Sequence, residues 1–336
     1  MEYRRLGTSG VTVSRLCLGT MMFGDQADET AAKRIADMAW DAGINFIDTA
    51  DVYAGGASEE VTGKVIRRRR DRWVLATKLG QAARANDANA GGLSRRWITA
   101  ELEASLKRLG TDHVDILYFH REDLACALEE SLRAVGDAIR AGKVRYLGLS
   151  NFRAWRHAEV ARLCDSLGMD RPVASQPYYN AFNRMPETEV LKACQHYGMG
   201  VVPYSPIARG VLTGKYPPGK APARGTRAGR KDRRMMQTEF REESLVLAQR
   251  MVDYAKRRGM TPVLFAVRWV LENPIVTATI AGPRTPEQMQ GYLGCFDHDW
   301  TADDEAFVDS LVAPGHPSTP GYNDPGYVIE GRPARV

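Results

Sequence analysis

The sequence predicts an α/β protein that folds as a single (β/α)8 TIM barrel over residues 1–336. Short apolar, β-rich segments alternate along the chain with amphipathic segments of helical period. These strand candidates are apolar throughout, which is typical of strands buried on both faces of a parallel sheet. The length fits eight such units, and no Gly/Ser-rich linker divides the chain. In order, the predicted strands are RLCLGT, INFIDT, WVLATK, VDILYFH, VRYLGLS, PVASQ, MGVVPYS and IVTATIAG.

Two of the intervening helices have clear signals at their ends. Ser94 is a predicted N-cap for one helix, and Gly142 is a predicted stop for the next. Apolar residues between these signals recur every three or four positions, so each helix has one face that packs on the barrel. The apolar positions are Ile98, Leu102, Leu106 and Leu109 in the first helix and Leu124, Leu128, Leu132, Val135 and Ile139 in the second.

Three segments lie outside the repeating pattern. Residues 1–14 predict a β-hairpin that turns at Ser9-Gly10 and closes the N-terminal end of the barrel. Residues 215–240 follow the seventh strand and are rich in Arg, Pro and Gly without an apolar period, which predicts a long basic loop. Extra helices and a Pro/Gly-rich tail over residues 313–336 complete the chain. Tyr322 and Tyr327 indicate that this tail packs either over the mouth of a site or against another subunit.

The composition excludes several classes of protein. Hydrophobic residues make up 44% of the chain and charged residues 26%, which is ordinary for a globular protein. No apolar run is long enough to span a membrane, and the N-terminus lacks the apolar core of a signal peptide. The five cysteines form no C-x-x-C pair, which favours a cytoplasmic protein without a cysteine-built metal site. A net charge of +5 allows an anionic ligand but does not indicate nucleic acid.

The predicted strands end in polar or small residues, and the C-terminal ends of barrel strands meet on the face that holds the active site. Asp48, Lys78 and His120 should therefore converge there, with Tyr53 above them in the loop after the second strand. The other strand ends are Gly19-Thr20, Ser150-Asn151, Gln176, Tyr204-Ser205 and Gly282.

This set of side chains can transfer a proton to a carbonyl oxygen. A tyrosine with its ordinary pKa of about 10 is a poor acid at neutral pH, and a neighbouring lysine ammonium lowers that pKa. Asp48 as an ion-pair partner keeps Lys78 charged, and His120 can donate a hydrogen bond to the carbonyl oxygen. None of these residues is a reductant, so a hydride has to come from a cofactor.

Each of these residues also has a structural interpretation when it is taken alone. Asp48 can cap a loop, Lys78 can extend along apolar surface to reach water, and Tyr53 can pack on the Gly55-Gly56 turn. A histidine in an apolar strand, such as His120, is often a hydrogen-bonded core residue. The occurrence of all four at successive barrel positions favours the site.

Motifs in a fixed order make the sequence resemble the aldo-keto reductases over residues 3–295. The resemblance implies a barrel enzyme in which Tyr53 is the general acid/base, Lys78 and Asp48 tune its pKa, and His120 orients the carbonyl group. The motifs are FIDTADVYAGGASEEVTGKVI, VLATK, DILYFHRED, GLSNF, SQPYYN, VVPYSPIARGVLTGKY and TIAGPRTPEQ.

The resemblance also implies a nicotinamide cofactor and the residues that contact it. Asp48 borders the cofactor, and Tyr204 stacks on the nicotinamide ring. The ribose is lined by Gly19, Thr20 and Met21, the carboxamide is held by Ser150, Asn151 and Gln176, and the pyrophosphate runs along Ser205, Pro206, Ile207, Arg209, Gly210 and Lys215.

The adenosine end departs from the family pattern. Gly282, Arg284 and Gln288 remain, whereas Gly291 and Tyr292 replace the Glu-Asn pair that contacts adenine in relatives with this style of motif. Because a guanidinium fork suits a 2′-phosphate, we expect NADPH (NADP) in preference to NADH, with adenine stacked on Tyr292. The basic loop at 215–240 is either a flap over the cofactor phosphates or a mobile insertion.

The expected activity is reversible, NADPH-dependent reduction of an aldehyde or ketone to an alcohol. Met22, Phe23 and Arg121, with Tyr53 and His120, are candidate substrate contacts, and the first two can equally be rim packing. The partner is a small-molecule carbonyl or alcohol, with no nucleic acid or membrane, and the protein is a monomer or homo-oligomer.

Three alternatives belong to other functional classes. A redox-sensing binding subunit with little turnover, like the potassium-channel β subunits, shares the fold. Lys78 could instead form a Schiff base in a lyase. A metal-dependent hydrolase is disfavoured, because the six histidines include no H-x-H or H-E-x-x-H, and we expect no metal.

Overall fold

The structure is a computed structural model that describes residues 1–83 and 87–327. Eight parallel strands form one sheet, in which strands that follow one another along the chain pair side by side and the last strand also pairs with the first. Backbone hydrogen bonds from Thr277 to Val201 (2.8 Å) and from Ile280 to Pro203 (3.0 Å) join its two edges into a barrel. The (β/α)8 prediction is confirmed. The strands are β3 (Leu16–Gly19), β4 (Phe46–Asp48), β5 (Val74–Leu79), β6 (Val114–Phe119), β7 (Val144–Ser150), β8 (Ala174–Gln176), β9 (Gly200–Val201) and β10 (Thr279–Ala281).

Helices surround this barrel and bury its outer face. Within the described residues they are α1 (Glu29–Asp41), α2 (Ala57–Ile66), α3 (Arg95–Leu109), α4 (Leu128–Arg140), α5 (Ala154–Leu167), α6 (Val190–His196), α7 (Arg233–Thr238), α8 (Glu242–Arg257), α9 (Pro262–Glu272), α10 (Pro286–Gln290) and α11 (Ala302–Leu311). Short 3-10 turns occur at Tyr53–Gly56, Arg67–Arg72, Met185–Glu187 and Ala208–Thr213. No helix in the described ranges combines the length and the apolar character that a membrane crossing needs.

The two helices with sequence signals form, with one correction. Ser94 caps α3 by accepting a hydrogen bond from the Trp97 amide, as predicted. The second helix begins at Leu128, so the prediction that it includes Leu124 is wrong. The Asp123 carboxylate accepts hydrogen bonds from the amides of Leu93 and Ala125 and holds this segment as a loop, which leaves Leu124 exposed.

The N-terminal hairpin closes the bottom of the barrel. Its strands, β1 (Tyr3–Arg5) and β2 (Thr12–Ser14), are antiparallel. Leu6 and Val13 are fully buried in the apolar cluster inside the barrel. Gly7 lies against the chain with φ of +57°, where an added Cβ would come within 2.3 Å of the Gly198 carbonyl oxygen, so only glycine fits.

The basic loop and the tail pack against each other on the opposite face. The prediction that residues 215–240 lack secondary structure is wrong at one point, because Asp232 caps α7 within the loop. Arg234 pairs with both carboxylate oxygens of Asp324 in the tail, at 2.9 and 2.6 Å. The Arg241 guanidinium lies 3.8 Å from the centre of the Tyr322 ring. The tail prediction extends to residue 336, and its part beyond residue 327 lies outside the described residues.

Candidate active site

A cavity of about 1380 Å³ opens at the C-terminal ends of the barrel strands. Its walls come from all eight strand ends, the basic loop and the tail, so residues far apart in sequence share one chamber. This volume exceeds that of an ordinary drug-sized pocket and leaves room for a dinucleotide together with a small substrate. Nearly all of the predicted site residues line it, including Tyr53, Asp48 and His120.

Lys78 does not line the cavity itself but contacts two residues that do, Asp48 and Tyr53. It is 1% exposed, and its ammonium group donates to Asp48 Oδ2 at 2.5 Å and to the Thr49 carbonyl oxygen at 2.6 Å. A third contact reaches the Tyr53 hydroxyl at 3.3 Å. All three of its donors therefore point at oxygen atoms. Burial lowers the pKa of Lys78, but Asp48 and Tyr53 more than offset this, so the pKa is raised and the group stays charged.

Tyr53 is held by a tight turn after β4. Its amide donates to the Ala50 carbonyl oxygen at 3.2 Å, and the next residues, Ala54 and Gly55, have φ of 49° and 64°. Left-handed backbone at a non-glycine residue is strained and is common at functional sites. The turn aims the hydroxyl of Tyr53 at Lys78.

The pKa of Tyr53 differs from the prediction. Burial raises it, and the neighbouring Lys78 ammonium offsets only part of this effect. The prediction that Lys78 lowers the pKa of Tyr53 below its ordinary value is therefore wrong. The effect of Lys78 does have the predicted direction, but the effect of burial is larger. The phenol consequently keeps its proton at neutral pH, which is the form a proton donor needs.

His120 faces Tyr53 across the cavity. The two rings meet edge to face with centroids 5.8 Å apart. Burial, Lys78 and Arg121 lower the pKa of His120 well below its ordinary value, so the imidazole is neutral. Its Nδ1 is buried and has no hydrogen-bond partner among the described residues. A neutral imidazole beside a phenol can donate one hydrogen bond to a carbonyl oxygen.

Polar residues at the next strand ends form a connected wall beside this group. The Gln176 amide donates to Asp48 Oδ1 at 3.1 Å, and the Ser150 hydroxyl donates to the Gln176 carbonyl oxygen at 3.0 Å. The Asn151 amide donates to the His120 carbonyl oxygen, while its own oxygen accepts from the Tyr204 hydroxyl at 2.9 Å. Tyr204 is stacked on Tyr178, which the sequence reasoning missed. A planar ring and amide groups lie together here, as a nicotinamide requires.

Cations gather at the far end of the cavity. Lys215, Arg227 and Arg284 line it, and Arg230 and Arg284 both donate to the side-chain oxygen Oε1 of Gln26, at 3.0 and 3.1 Å. Burial and repulsion from the three arginines lower the pKa of Lys215. None of the four forms an ion pair with a carboxylate in the part of the chain that the structure describes. A cluster of like charges that are not ion-paired suits a phosphate group. Sequence reasoning named only Lys215 and Arg284 and missed Arg227 and Arg230, whose positions depend on the folded loop.

The remaining predicted cofactor contacts also lie in this chamber. Thr20 is fully buried and donates to the Asp48 carbonyl oxygen at 3.1 Å, so its side chain supports β4. Tyr292 is 5% exposed and borders the cationic end. The other predicted contacts that line the cavity are Gly19, Met21, Ser205, Pro206, Ile207, Arg209, Gly210, Gly282 and Gln288.

The predicted substrate contacts divide into two groups. Met22 and Arg121 line the cavity, and the Met22 sulfur accepts a contact from the Arg227 guanidinium at 3.9 Å. Phe23 is fully buried in the outer hydrophobic core and does not line the cavity, so its position agrees with packing and corrects the substrate assignment. Tyr327 of the tail lines the mouth, which favours the first of the two positions predicted for the tail.

The described residues offer no metal site to this cavity. Among them, no group of histidine, cysteine, aspartate and glutamate side chains is arranged to hold a metal ion.

Comparison with known families gives a match that covers most of the chain, the Aldo/keto reductase family model over residues 15–313. The chain belongs to the aldo/keto reductase family.

Individual members of the aldo/keto reductase family are similar to this chain over most of its length. The uncharacterized oxidoreductase YrpG of Bacillus subtilis (strain 168) is 38% identical over 302 residues, which cover 86% of this chain and 89% of the relative. The probable voltage-gated potassium channel subunits beta of Arabidopsis thaliana and of Oryza sativa subsp. japonica are each 36% identical, covering 88% of this chain and 92% of the relative. Aldo/keto reductases use nicotinamide cofactors, and the walls of this cavity have the groups to hold one.

Proposed function

We propose that the protein is an NADPH-dependent reductase of aldehydes or ketones. The observation that carries this proposal is the Tyr53 hydroxyl at 3.3 Å from the Lys78 ammonium, inside a cavity that His120 also faces. The bound nicotinamide would supply the hydride. The chain itself would orient the carbonyl group through His120 and deliver a proton from Tyr53 to the developing alkoxide.

Lys78 and Asp48 support the proton transfer in different ways. As Tyr53 gives up its proton, negative charge forms on its oxygen 3.3 Å from the Lys78 ammonium, which stabilises the phenolate. Asp48 and the Thr49 carbonyl oxygen hold that ammonium in place. In the reverse direction the same phenolate would take the proton from an alcohol.

The cationic end of the cavity supports NADPH over NADH. We expect Arg284→Ala to reduce kcat/KM with NADPH by about 10- to 100-fold, because one charge-assisted contact to phosphate contributes roughly 1.5–3 kcal/mol. The value with NADH should change little. Arg250→Ala, on the exposed side of α8, is the matched control. An equal loss with both cofactors would contradict the assignment of Arg284 to the 2′-phosphate.

The lowered pKa of His120 predicts the acid side of the pH profile. Since the imidazole is already neutral, kcat/KM for carbonyl reduction should stay flat between about pH 5.5 and about pH 7.5, where a free histidine titrates. The initial rate of NADPH consumption at saturating cofactor measures this. A decline centred near the ordinary histidine pKa would show that His120 is charged in the site.

A second candidate function is a redox-sensing binding subunit, because two similar relatives carry the name of potassium channel β subunits. On this view the protein would bind NADPH tightly and turn over carbonyls slowly. A panel of aldehydes and ketones followed at the NADPH absorbance separates the two functions. Turnover that disappears in Tyr53→Phe supports the reductase, whereas cofactor binding without any turnover supports the binding subunit.

A further inference from the structure

Behind the Tyr53 turn lies a buried group of charged side chains that the proposed reaction does not use. We name it the acid cluster: Asp51 in the turn, Glu59 on α2, and Glu101 and Arg108 on α3. Asp51 and Glu101 are each 5% exposed, and Glu59 is fully buried. The acid cluster therefore places three buried carboxyl groups around one guanidinium, which is itself partly exposed.

The hydrogen bonds of the acid cluster leave Asp51 without a cation. Arg108 donates through Nε to Glu59 Oε2 at 2.7 Å and through Nη2 to Glu101. Glu59 Oε1 is occupied by the Thr77 hydroxyl. Asp51 Oδ1 accepts only from the Val52 amide, at 2.7 Å, and its Oδ2 is buried with no partner among the described residues.

The charge count then requires a proton in the acid cluster. Three ionised carboxylates and one guanidinium would leave two uncompensated negative charges in a low-dielectric space, which is expensive unless a group is neutralised. Asp51 is the member without a charged donor. Burial, then repulsion from Glu101 and Glu59, raises the pKa of Asp51 to about 8.

Asp51 connects this cluster to the catalytic candidates. Its amide donates to the Lys78 carbonyl oxygen at 3.0 Å, so the turn is tied directly to β5. Tyr53 follows two residues later, and its amide donates a hydrogen bond to the Ala50 carbonyl oxygen. The Lys78 ammonium cannot neutralise Asp51, because its three donors point at Asp48, Thr49 and Tyr53. An ionised Asp51 would have no cation within the closed turn, so its ionisation favours a turn that opens to water.

We propose that Asp51 is a positioning residue, which holds the Tyr53 turn against Lys78 only while its own carboxyl group carries a proton. The inference rests on the proposed function insofar as Tyr53 is the proton donor. The acid cluster thus sets an upper pH limit for the correct placement of Tyr53. This limit is separate from the titration of the Tyr53 hydroxyl itself. No substrate or cofactor atom touches Asp51 in this scheme.

The sign of the effect follows from linkage. The folded turn raises the pKa of Asp51 above its ordinary value near 4, so the closed turn binds the proton more tightly than the open one. The stabilisation that the protonated Asp51 contributes to the closed turn is fully present below about pH 4 and is lost as the pH rises to about 8. Over that range, each rise of one pH unit should increase the equilibrium constant for opening of the turn about tenfold.

Amide hydrogen exchange of a peptide spanning residues 49–56 tests this without any enzyme assay. After correction for the intrinsic exchange rate, the opening equilibrium of the wild-type turn should rise about 50-fold between about pH 6 and about pH 8, because the pH dependence levels off at the upper pKa. Asp51→Asn keeps the side-chain shape and the acceptor for Val52, and its opening should not depend on pH. Asp51→Ser, which also lacks the carboxyl group, should behave like Asp51→Asn if the latter folds poorly. Equal pH dependence in the wild type and these variants would overturn the proposal.

Kinetics test whether the turn matters for the reaction. With a carbonyl substrate, the wild-type kcat should fall in a step on the alkaline side, over the pH range in which hydrogen exchange shows the turn to open, with the Kd for NADPH unchanged. This step should be missing in Asp51→Asn and present in Asp41→Asn, an exposed control at the end of α1. A step that persists in Asp51→Asn would overturn the positioning role. If the wild type reduces no carbonyl at all, the proposed function fails, and the exchange measurement alone decides the claim about Asp51.

Discussion

Tyr53→Phe is expected to lower kcat for carbonyl reduction by about 10²- to 10⁴-fold, the contribution typical of a general acid. The change removes one oxygen atom and leaves the ring that packs at 5.8 Å from His120. Without the hydroxyl, no group near the carbonyl oxygen is both protonated and stabilised by Lys78 when it loses the proton. NADPH consumption at saturating substrate measures the effect.

Cofactor binding provides the control for this variant. The cationic end of the cavity does not include Tyr53, so the Kd for NADPH should stay within about twofold, as fluorescence titration would show. Tyr216→Phe, which alters a buried tyrosine outside the cavity wall, should keep wild-type turnover. If Tyr53→Phe keeps most of its activity, the proton comes from another group.

Lys78→Met is expected to destabilise the fold by about 3–5 kcal/mol, because it leaves the Asp48 carboxylate buried without its cation. Both partners are almost fully buried, at 1% and 2% side-chain exposure, and water cannot replace the lost contact. The free energy of unfolding from urea titration measures this. Activity should fall as well, since the phenolate loses its stabilising charge.

Two further variants separate charge from shape at this ion pair. The double variant Lys78→Met/Asp48→Asn should recover part of the lost stability, since it removes the isolated charge. Lys64→Met breaks an ion pair of similar length between exposed groups and should change stability little. A Lys78→Met protein as stable as the wild type would mean that Asp48 is not charged in the fold.

The barrel and the convergence of the four catalytic candidates could be predicted because they follow from simple geometry. Parallel strands put their C-terminal ends on one face, so polar residues at strand ends such as Asp48 and Lys78 must meet there. Their hydrogen-bond partners lie on neighbouring strands or in the turn that follows, within the length of one side chain. The hairpin was predictable for a similar reason, since its turn and its pairing are local.

Features that depend on tertiary contacts could not be predicted. The start of α4 shifts from Leu124 to Leu128 because the Asp123 carboxylate binds the Leu93 amide, which lies far away in sequence. The net direction of the Tyr53 pKa depends on how deeply the phenol is buried, and no local pattern encodes burial. The positions of Arg227 and Arg230 depend on the fold of the basic loop.

The acid cluster was missed for the same reason. Asp51 stands in the quoted motif as an ordinary polar residue, and Glu59 and Glu101 look like exposed helix positions. Their confinement around Arg108 appears only when α2 and α3 pack side by side.

Transfer of deuterium from NADPH that carries deuterium at both C4 positions of the nicotinamide tests the central claim most directly. The wild-type protein and a carbonyl substrate should give an alcohol one mass unit heavier, with the deuterium on the former carbonyl carbon, and Tyr53→Phe should give almost none. An alcohol without deuterium, or bound NADPH that is never consumed with any carbonyl, would contradict the proposed reaction.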